Sequence, residues 1–424
     1  MHRLVNFKNF RSAQIDLFPR FTLLVGRNGS GKTNLIEGIE LLAALAEGRP
    51  LRDIADVGRG NGLFEVRGGL GGCLFPGEKS FTLGLTFPHD GITYDLEIVP
   101  GSIDGARKAY IAHEQLQWGD RKHPLFEARS DGTTGVTSVK YDNYAKGPNK
   151  PTKNVSSDTT ILSRLEDIVP KSASGNDADH RKLAEAVRWL SLSFVLDARP
   201  HLMRGYERIG DTSLRRDGSN VSSVLHALSK SPEGTGPLAR ILAVLQQLPE
   251  EPFVAFEFID TRVGDVLLGL QRADGSLVDG RVLSDGTLRA LAVLTALETV
   301  EEGSQVVLEE FDNGIHPSRA ATLIAAVLEI AKRRTLAVIA TTHNPATLDA
   351  IPEEHLGGVH LCVWDAQAKT SRVERLLDLS RIDVLLEHGQ LGDLVTKDIF
   401  ERVLNPNLEE AQRSASKAWL ESLR

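Results

Sequence analysis

The segment Gly26-Arg27-Asn28-Gly29-Ser30-Gly31-Lys32-Thr33 constrains this 424-residue chain more than any other. It matches the pattern G-x-x-x-x-G-K-[ST], and its surroundings match the local structure that the pattern needs. Phe21–Val25 is a compact apolar run that reads as a buried strand. Leu35, Ile39, Leu42 and Ala46 then fall at helical spacing. A glycine-rich turn between strand and helix lets backbone N–H groups approach phosphate, and the helix N-terminus adds a favourable dipole. Lys32 is expected to reach the β- and γ-phosphates and the Thr33 hydroxyl to ligate Mg²⁺, with Asn28, Gly29, Ser30, Gly31 and Asn34 completing the cradle. The plainer alternative is a glycine-rich turn without a ligand; the flanking strand and helix favour the nucleotide.

A second segment supplies acids. Val306-Val307-Leu308 looks like a Walker B strand carrying Glu309 and Glu310 to the carboxyl edge of a parallel sheet, where ligands bind in such folds. Glu309 is assigned to Mg²⁺ through water, and Glu310 to orienting the attacking water or accepting its proton. The next strand, 336–340, ends in Thr341-Thr342-His343. A neutral His343 is placed to hydrogen-bond a γ-phosphate and register its presence. A solvated helix start would explain the acid pair alone but not this second polar strand end.

Between these motifs the pattern changes several times. Phe81, Leu83, Leu85 and Phe87 alternate, His89-Asp90-Gly91 turns the chain, and Ile92, Tyr94, Leu96 and Ile98 alternate back as a hairpin. Residues 119–158 are polar and read as long loops. Helical stripes follow at Leu183, Val187, Leu190 and Phe194, at Val221, Val224, Leu225 and Leu228, and from Leu238 to Leu248. Strands are expected at 253–259, 266–272 and 305–308, with helices from Leu288 and over 320–331. No fixed-period repeat and no sustained heptads occur. The resulting division is 1–118, 119–252, 253–370 and a helical tail over 371–424.

Composition narrows the setting. Cys73 and Cys362 are the two cysteines and form no CxxC, so a disulfide framework or thiolate zinc site is not expected and a reducing cytoplasm fits. No stretch approaches about 18 consecutive apolar residues, so no membrane role is expected. A net charge of −8 argues against a globally basic nucleic-acid binder. Local clusters remain: Arg204, Arg208, Arg215 and Arg216, and Lys140, Lys146, Lys150 and Lys153. Either could track a phosphate backbone, and interleaved acids favour a solvated surface.

Leu283-Ser284-Asp285-Gly286-Thr287, followed by Leu288 and Arg289, resembles the LSGGQ signature of ABC-type ATPases, and more closely its variant in RecF-like and OLD-like ATPases. Residues 307–317 resemble the same group's Walker B and D-loop, and Phe7-Lys8-Asn9-Phe10-Arg11-Ser12 resembles their N-terminal strand motif. The likeness covers roughly residues 1–115 and 253–365. It implies an α/β fold: an ABC-type P-loop ATPase head with an antiparallel β-lobe, a mixed central sheet and a small helical insertion.

It also implies a head-to-tail homodimer around ATP and Mg²⁺, with Ser284, Asp285 and Gly286 of one subunit at the triphosphate held by the other's phosphate loop. Asp285 departs from the glycine of the pattern; a carboxylate near phosphate requires a partner, and Arg289 is the expected one. Gln115 is the candidate for a Q-loop. The gap from Thr33 to Leu283 is too short for SMC-type arms, and the 81 residues after His343 are too few for a TOPRIM nuclease domain. The expected role is a sensor or regulator of a separately encoded nuclease or toxin, in bacterial phage defence or DNA maintenance. The alternatives are a DNA-repair ATPase that binds DNA directly, and a module that uses ATP only to hold a dimer. In the tail, Ala415, Trp419 and Leu423 share a helical face that would dock on the head or on a partner.

Overall fold

The computed structural model describes residues 1–17, 20–54, 65–87, 91–101, 108–119, 121–143, 149–169, 177–248, 253–380, 382, 385–386 and 389–404. Two compact units emerge, each assembled from separate stretches of chain: Met1–Phe18, Gly31–Ser193 and Ala366–Val373 form one, and Pro19–Ser30, Phe194–Asp365 and Glu374–Arg424 the other.

In chain order, β1 (His2–Phe7), β2 (Phe10–Ile15) and β3 (Phe21–Val25) lead to α1 (Lys32–Ala46). Then come β4 (Phe81–Thr86), β5 (Ile92–Val99), β6 (Tyr110–Trp118), β7 (Phe126–Arg129), β8 (Val136–Tyr141) and β9 (Thr152–Ser156). Short α2 (Leu165–Ile168) and longer α3 (Asp177–Ser191) follow.

The first unit is built on one antiparallel sheet ordered β2-β1-β4-β5-β6-β7-β8-β9. The predicted hairpin is present, with Phe81 opposite Ile98, Leu83 opposite Leu96 and Leu85 opposite Tyr94. The alternation that revealed it is the mark of a sheet covered on one face: Ile92, Tyr94, Leu96 and Ile98 are buried while their neighbours are half-buried. His89 and Asp90 of its turn lie outside the described residues. α1 covers this sheet so closely that a Cβ on Gly38 would stand 2.1 Å from Leu4 Cδ2.

Residues 119–158 are corrected from loops to β7, β8 and β9. Their inward apolar positions are few: Phe126, Ala128 and Val139 are buried, and polar side chains fill most of the rest of each strand. The ladder to β6 supplies what local hydrophobicity lacks, and a four- or five-residue strand is too short to display its period. Lys150 is drawn into this lobe as a buried ion pair with Asp142 at 2.7 Å. Lys153 Nζ donates to the Asp167 carbonyl at 2.8 Å.

The second unit continues with β10 (Ser193–Leu196), β11 (Glu207–Arg208), α4 (Val221–Lys230), α5 (Thr235–Leu245), β12 (Phe253–Asp260), β13 (Asp265–Arg272) and β14 (Leu277–Asp279). α6 (Asp285–Thr299), β15 (Gln305–Leu308), α7 (Ala320–Arg333), β16 (Ala337–Thr341), α8 (Pro345–Asp349) and β17 (Val359–Asp365) complete its framework. Phe194, predicted on a helical stripe, sits instead in β10, because α3 stops at Ser191. α6 starts three residues earlier than Leu288 because Ser284 caps it, its side chain accepting from Thr287 N.

Its main sheet runs β10-β15-β16-β3-β17, and β15–β16, β16–β3 and β3–β17 are parallel. Every residue of β3, β15 and β16 is buried, as the mostly apolar strands of a sheet covered on both faces must be. The core packs Leu23, Val306 and Val338 with Leu225 of α4, Ile241 of α5, Leu291 and Leu294 of α6 and Val327 of α7. Glu298 of α6 is fully buried and is held by Arg240 at 2.9 Å and Arg333 at 2.5 Å. Removing either arginine alone would leave a buried charge under-compensated.

Helices over Leu391–Thr396 and Ile399–Leu404 end the described chain. The tail stripe of Ala415, Trp419 and Leu423 lies outside the described residues. Among the described residues no helix is long and apolar enough to cross a membrane.

Candidate functional site

The glycine loop joins β3 to α1. Gly31 takes φ +112° just before the helix, a conformation that side-chain-bearing residues rarely adopt. Gly29 has φ +82°, and a Cβ there would meet nothing within 4 Å, so its backbone borders open space. The N-cap of α1 is Gly31, which has no side chain to cap the helix, and no acid occupies the first turn, a helix start suited to an anion. Ser30 is buried and its Oγ has no hydrogen-bond partner among the described residues. Asn28 is exposed, Thr33 is half-buried, and Lys32 is buried to 7% exposure. An uncapped helix start beside an unsatisfied hydroxyl and a buried lysine fits a phosphate group.

Asn34 is committed to protein partners. Its Nδ2 donates to Asn9 Oδ1 at 2.8 Å, and its Oδ1 accepts from Arg67 Nη2 at 3.2 Å. Asn9 Nδ2 in turn donates to Ser371 Oγ at 2.7 Å. The N-terminal strand motif therefore fixes the first turn of α1. Gln115 lies mid-strand in β6, opposite Asp95 and Glu127.

In the second unit, β15 delivers Glu309 and Glu310 to the carboxyl edge of the parallel sheet. Glu309 N donates to the Leu196 carbonyl at 2.9 Å, and its carboxylate accepts from Arg216 Nη2 at 3.2 Å. Glu310 adopts φ +43°, costly for a residue with a side chain and stabilised here by its surroundings. Its N–H donates to Thr341 Oγ1 at 2.9 Å, and Asn313 Nδ2 donates to its Oε2 at 3.4 Å. Its Oε1 stands 3.9 Å from His343 Nε2. The two strand ends thus bring Glu309, Glu310 and His343 to one edge.

Asp312 was not singled out in the sequence. It is buried, and Thr342 Oγ1 donates to its Oδ2 at 2.7 Å, joined by the Thr347 hydroxyl. Burial pushes its carboxyl above the usual range, and the two hydroxyls pull the other way. The available signal was an acid in an otherwise turn-like segment, followed one strand later by Thr341-Thr342.

The signature residues open α6. Ser284 Oγ accepts from Thr287 N at 3.1 Å and lies 2.8 Å from Thr287 Oγ1. Gly286 packs on the loop after the acid pair: a Cβ there would meet the Gly314 carbonyl oxygen at 2.4 Å. The expected pairing of Asp285 with Arg289 is corrected. Asp285 is held by Arg204 Nη2, while Arg289 Nη1 reaches the Glu310 carbonyl at 3.5 Å. Asp285 sits in the first helical turn and leans back over the preceding loop, away from the residue one turn on.

The arginine cluster is consequently not a free basic patch. Arg204 and Arg216 engage Asp285 and Glu309, and Arg215 engages Glu207 at 3.1 Å and Asp211 at 2.9 Å. Arg27 of the glycine loop forms a two-point ion pair with Asp398, beside a cleft lined by Val25, Thr342, His343, Cys362, Val395 and Phe400. Among the described residues no group of three or more His, Cys, Asp or Glu is placed to hold a metal. A cation bound by one carboxylate, a hydroxyl and phosphate oxygens, as Mg²⁺ usually is, needs no such group.

Residues 21–349 match the family model described as AAA domain, putative AbiEii toxin, Type IV TA system. The DNA replication and repair protein RecF of Brucella abortus (strain 2308) is 42% identical over 93 residues, covering 21% of this chain and 23% of that protein. RecF of Heliobacterium modesticaldum is 46% identical over 50 residues, 12% of this chain and 13% of that one. The chain thus spans less than a quarter of the length of these curated relatives. Among solved structures, an SMC head bound to the C-winged helix domain of ScpA aligns over 88% of this chain and 96% of its own, at 11% identity and a TM-score of 0.46. The SMC head domain from Thermotoga maritima aligns over 88% and 97%, at 13% identity and a TM-score of 0.39.

Proposed function

Because this chain belongs to the family described as AAA domain, putative AbiEii toxin, Type IV TA system, and is an ABC-type P-loop ATPase of the RecF-like kind, we propose that it binds and slowly hydrolyses ATP with Mg²⁺ and closes as a head-to-tail homodimer. The observation that carries this reading is the acid edge: Glu310, held at a strained backbone angle, stands 3.9 Å from His343 directly after a buried parallel strand.

In this proposal Asn28 to Thr33 cradle the triphosphate through backbone amides, and Lys32 neutralises its end group. Thr33 and Glu309 hold Mg²⁺, whose charge offsets that of the phosphates. Glu310 orients the attacking water and accepts its proton, and His343 hydrogen-bonds the γ-phosphate. Ser284 and Gly286 present the start of α6 to the triphosphate of a second subunit. Loss of the γ-phosphate removes the bridge and opens the pair.

The cellular role is read as regulation of a separately encoded nuclease or toxin, in phage defence or DNA maintenance. The family's description, with its putative toxin of a type IV toxin–antitoxin system, supports a two-component setting. Phosphate release by wild type against Glu310→Gln tests the core reading. Identical background rates would leave ATP as a dimer-holding ligand only.

A second reading, direct DNA binding in repair, draws on the local identity to proteins named DNA replication and repair protein RecF. ATP-stimulated, salt-sensitive binding to duplex DNA would support it, and no binding at low salt would remove it.

A further inference from the structure

We propose that Arg204 is the positioning residue that makes an aspartate workable inside the phosphate-facing signature, by neutralising Asp285 and clamping the loop that leads into α6. The inference rests on the reading that residues 284–286 meet a neighbour's triphosphate, and it adds a residue that no signature motif contains.

Arg204 lies 79 residues before Leu283, in the loop between β10 and β11, yet its guanidinium is spent on the signature and the turn that leads into it. Nη1 donates to the carbonyls of Leu283 at 2.7 Å and Arg281 at 2.8 Å, with Gly280 at 3.5 Å. Nη2 donates to Asp285 Oδ1. Three of these four acceptors belong to the turn that sets the entry angle of α6, and the fourth is the residue after its cap. A planar fork with several donors satisfies carbonyls and a carboxylate at once, which a lysine ammonium does not do in the same geometry.

The charge arithmetic gives the clamp its consequence. The start of α6 attracts anions through its first amides, and an unpaired carboxylate at its first residue would oppose a triphosphate there. Asp285 keeps a side-chain exposure of 68%, so its charge faces the surface that a second subunit would approach. Paired to Arg204, it presents a neutral ion pair; unpaired, it presents a repelling charge.

The test is ATP-dependent self-association of the full chain in a Glu310→Gln background, followed by light scattering against protein concentration. Arg204→Ala and Arg204→Gln are each expected to weaken assembly about tenfold, equivalent to roughly 1.4 kcal/mol. Asp285→Asn alone should assemble at least as well as the parent, and Arg204→Gln with Asp285→Asn should return to within about threefold of it. Binding of a fluorescent ATP analogue to the single subunit reports that each variant is folded. Glutamine keeps an N–H donor for the carbonyls but not the charge, so parent-like assembly of Arg204→Gln overturns the inference. Failure of Asp285→Asn to relieve Arg204→Gln also overturns it, because the loop clamp alone would then explain the loss. If the parent itself does not assemble with ATP, the proposed function falls first and this inference with it.

Discussion

Glu310 Oε1 and His343 Nε2 stand 3.9 Å apart, each at the end of a buried strand and each partly open to solvent. Neighbouring parallel strands put them there: Leu308 pairs with Ala340, so the residues just beyond each strand emerge side by side. A carboxylate and an imidazole so placed can share a water and a phosphate oxygen, which is the geometry that the proposed hydrolysis needs.

Glu310→Gln should lower phosphate release by on the order of 10²- to 10⁴-fold, the usual contribution of a positioned general base. It should also trap an ATP-bound dimer, seen by light scattering as a species of twice the monomer mass. Wild-type turnover by this variant would remove Glu310 from the chemistry.

Lys32→Ala should weaken ATP binding by about ten- to a hundredfold, the scale of one or two charge-assisted hydrogen bonds. Its assembly state should be the same with and without ATP. A normal response to nucleotide, measured by equilibrium binding and scattering, would defeat the assignment of the glycine loop.

Gly286→Ala should damage the signature without touching its charge. The added methyl would meet a backbone oxygen, that of Gly314, at 2.4 Å, and neither backbone can yield cheaply. A loss of about 1–3 kcal/mol in the thermal stability of the head is expected, with impaired ATP-driven assembly. Unchanged melting would show that the two backbones can part at little cost.

His2 is fully buried against Trp189, and its Nε2 has no partner among the described residues. Burial first, and the neighbouring α-amino charge second, pull its pKa down to about 3. The folded form therefore binds fewer protons than the unfolded chain between that value and about 6.5, so stability is intact above this window and falls as pH drops through it. The slope should approach at most about 1.4 kcal/mol per pH unit. Unfolding midpoints at pH 7 and pH 5 should differ less in His2→Phe than in wild type; equal differences would contradict the buried neutral imidazole.

Legibility followed periodicity and length. β3 and β15 were readable because a parallel strand buried on both faces must be mostly apolar, and the β4–β5 hairpin because one-sided burial imposes alternation. β7 to β9 were not readable, since their short strands carry few buried residues and gain their order from pairing with β6. Asp312 escaped notice because its role depends on Thr342 and Thr347, hydroxyls 30 and 35 residues away.

By itself the sequence determined which local structures carry chemistry: a glycine-rich turn between strand and helix, and an acid pair after an apolar run. These depend on neighbours a few residues apart, whose preferences are written into backbone sterics and burial period. Only the tertiary structure decided how charges were matched. Asp285 met Arg204 rather than Arg289, and Glu309 met Arg216, because ion pairs form between side chains that folding brings within a few ångströms. Separation along the chain places no limit on such partners, so no local pattern could name them.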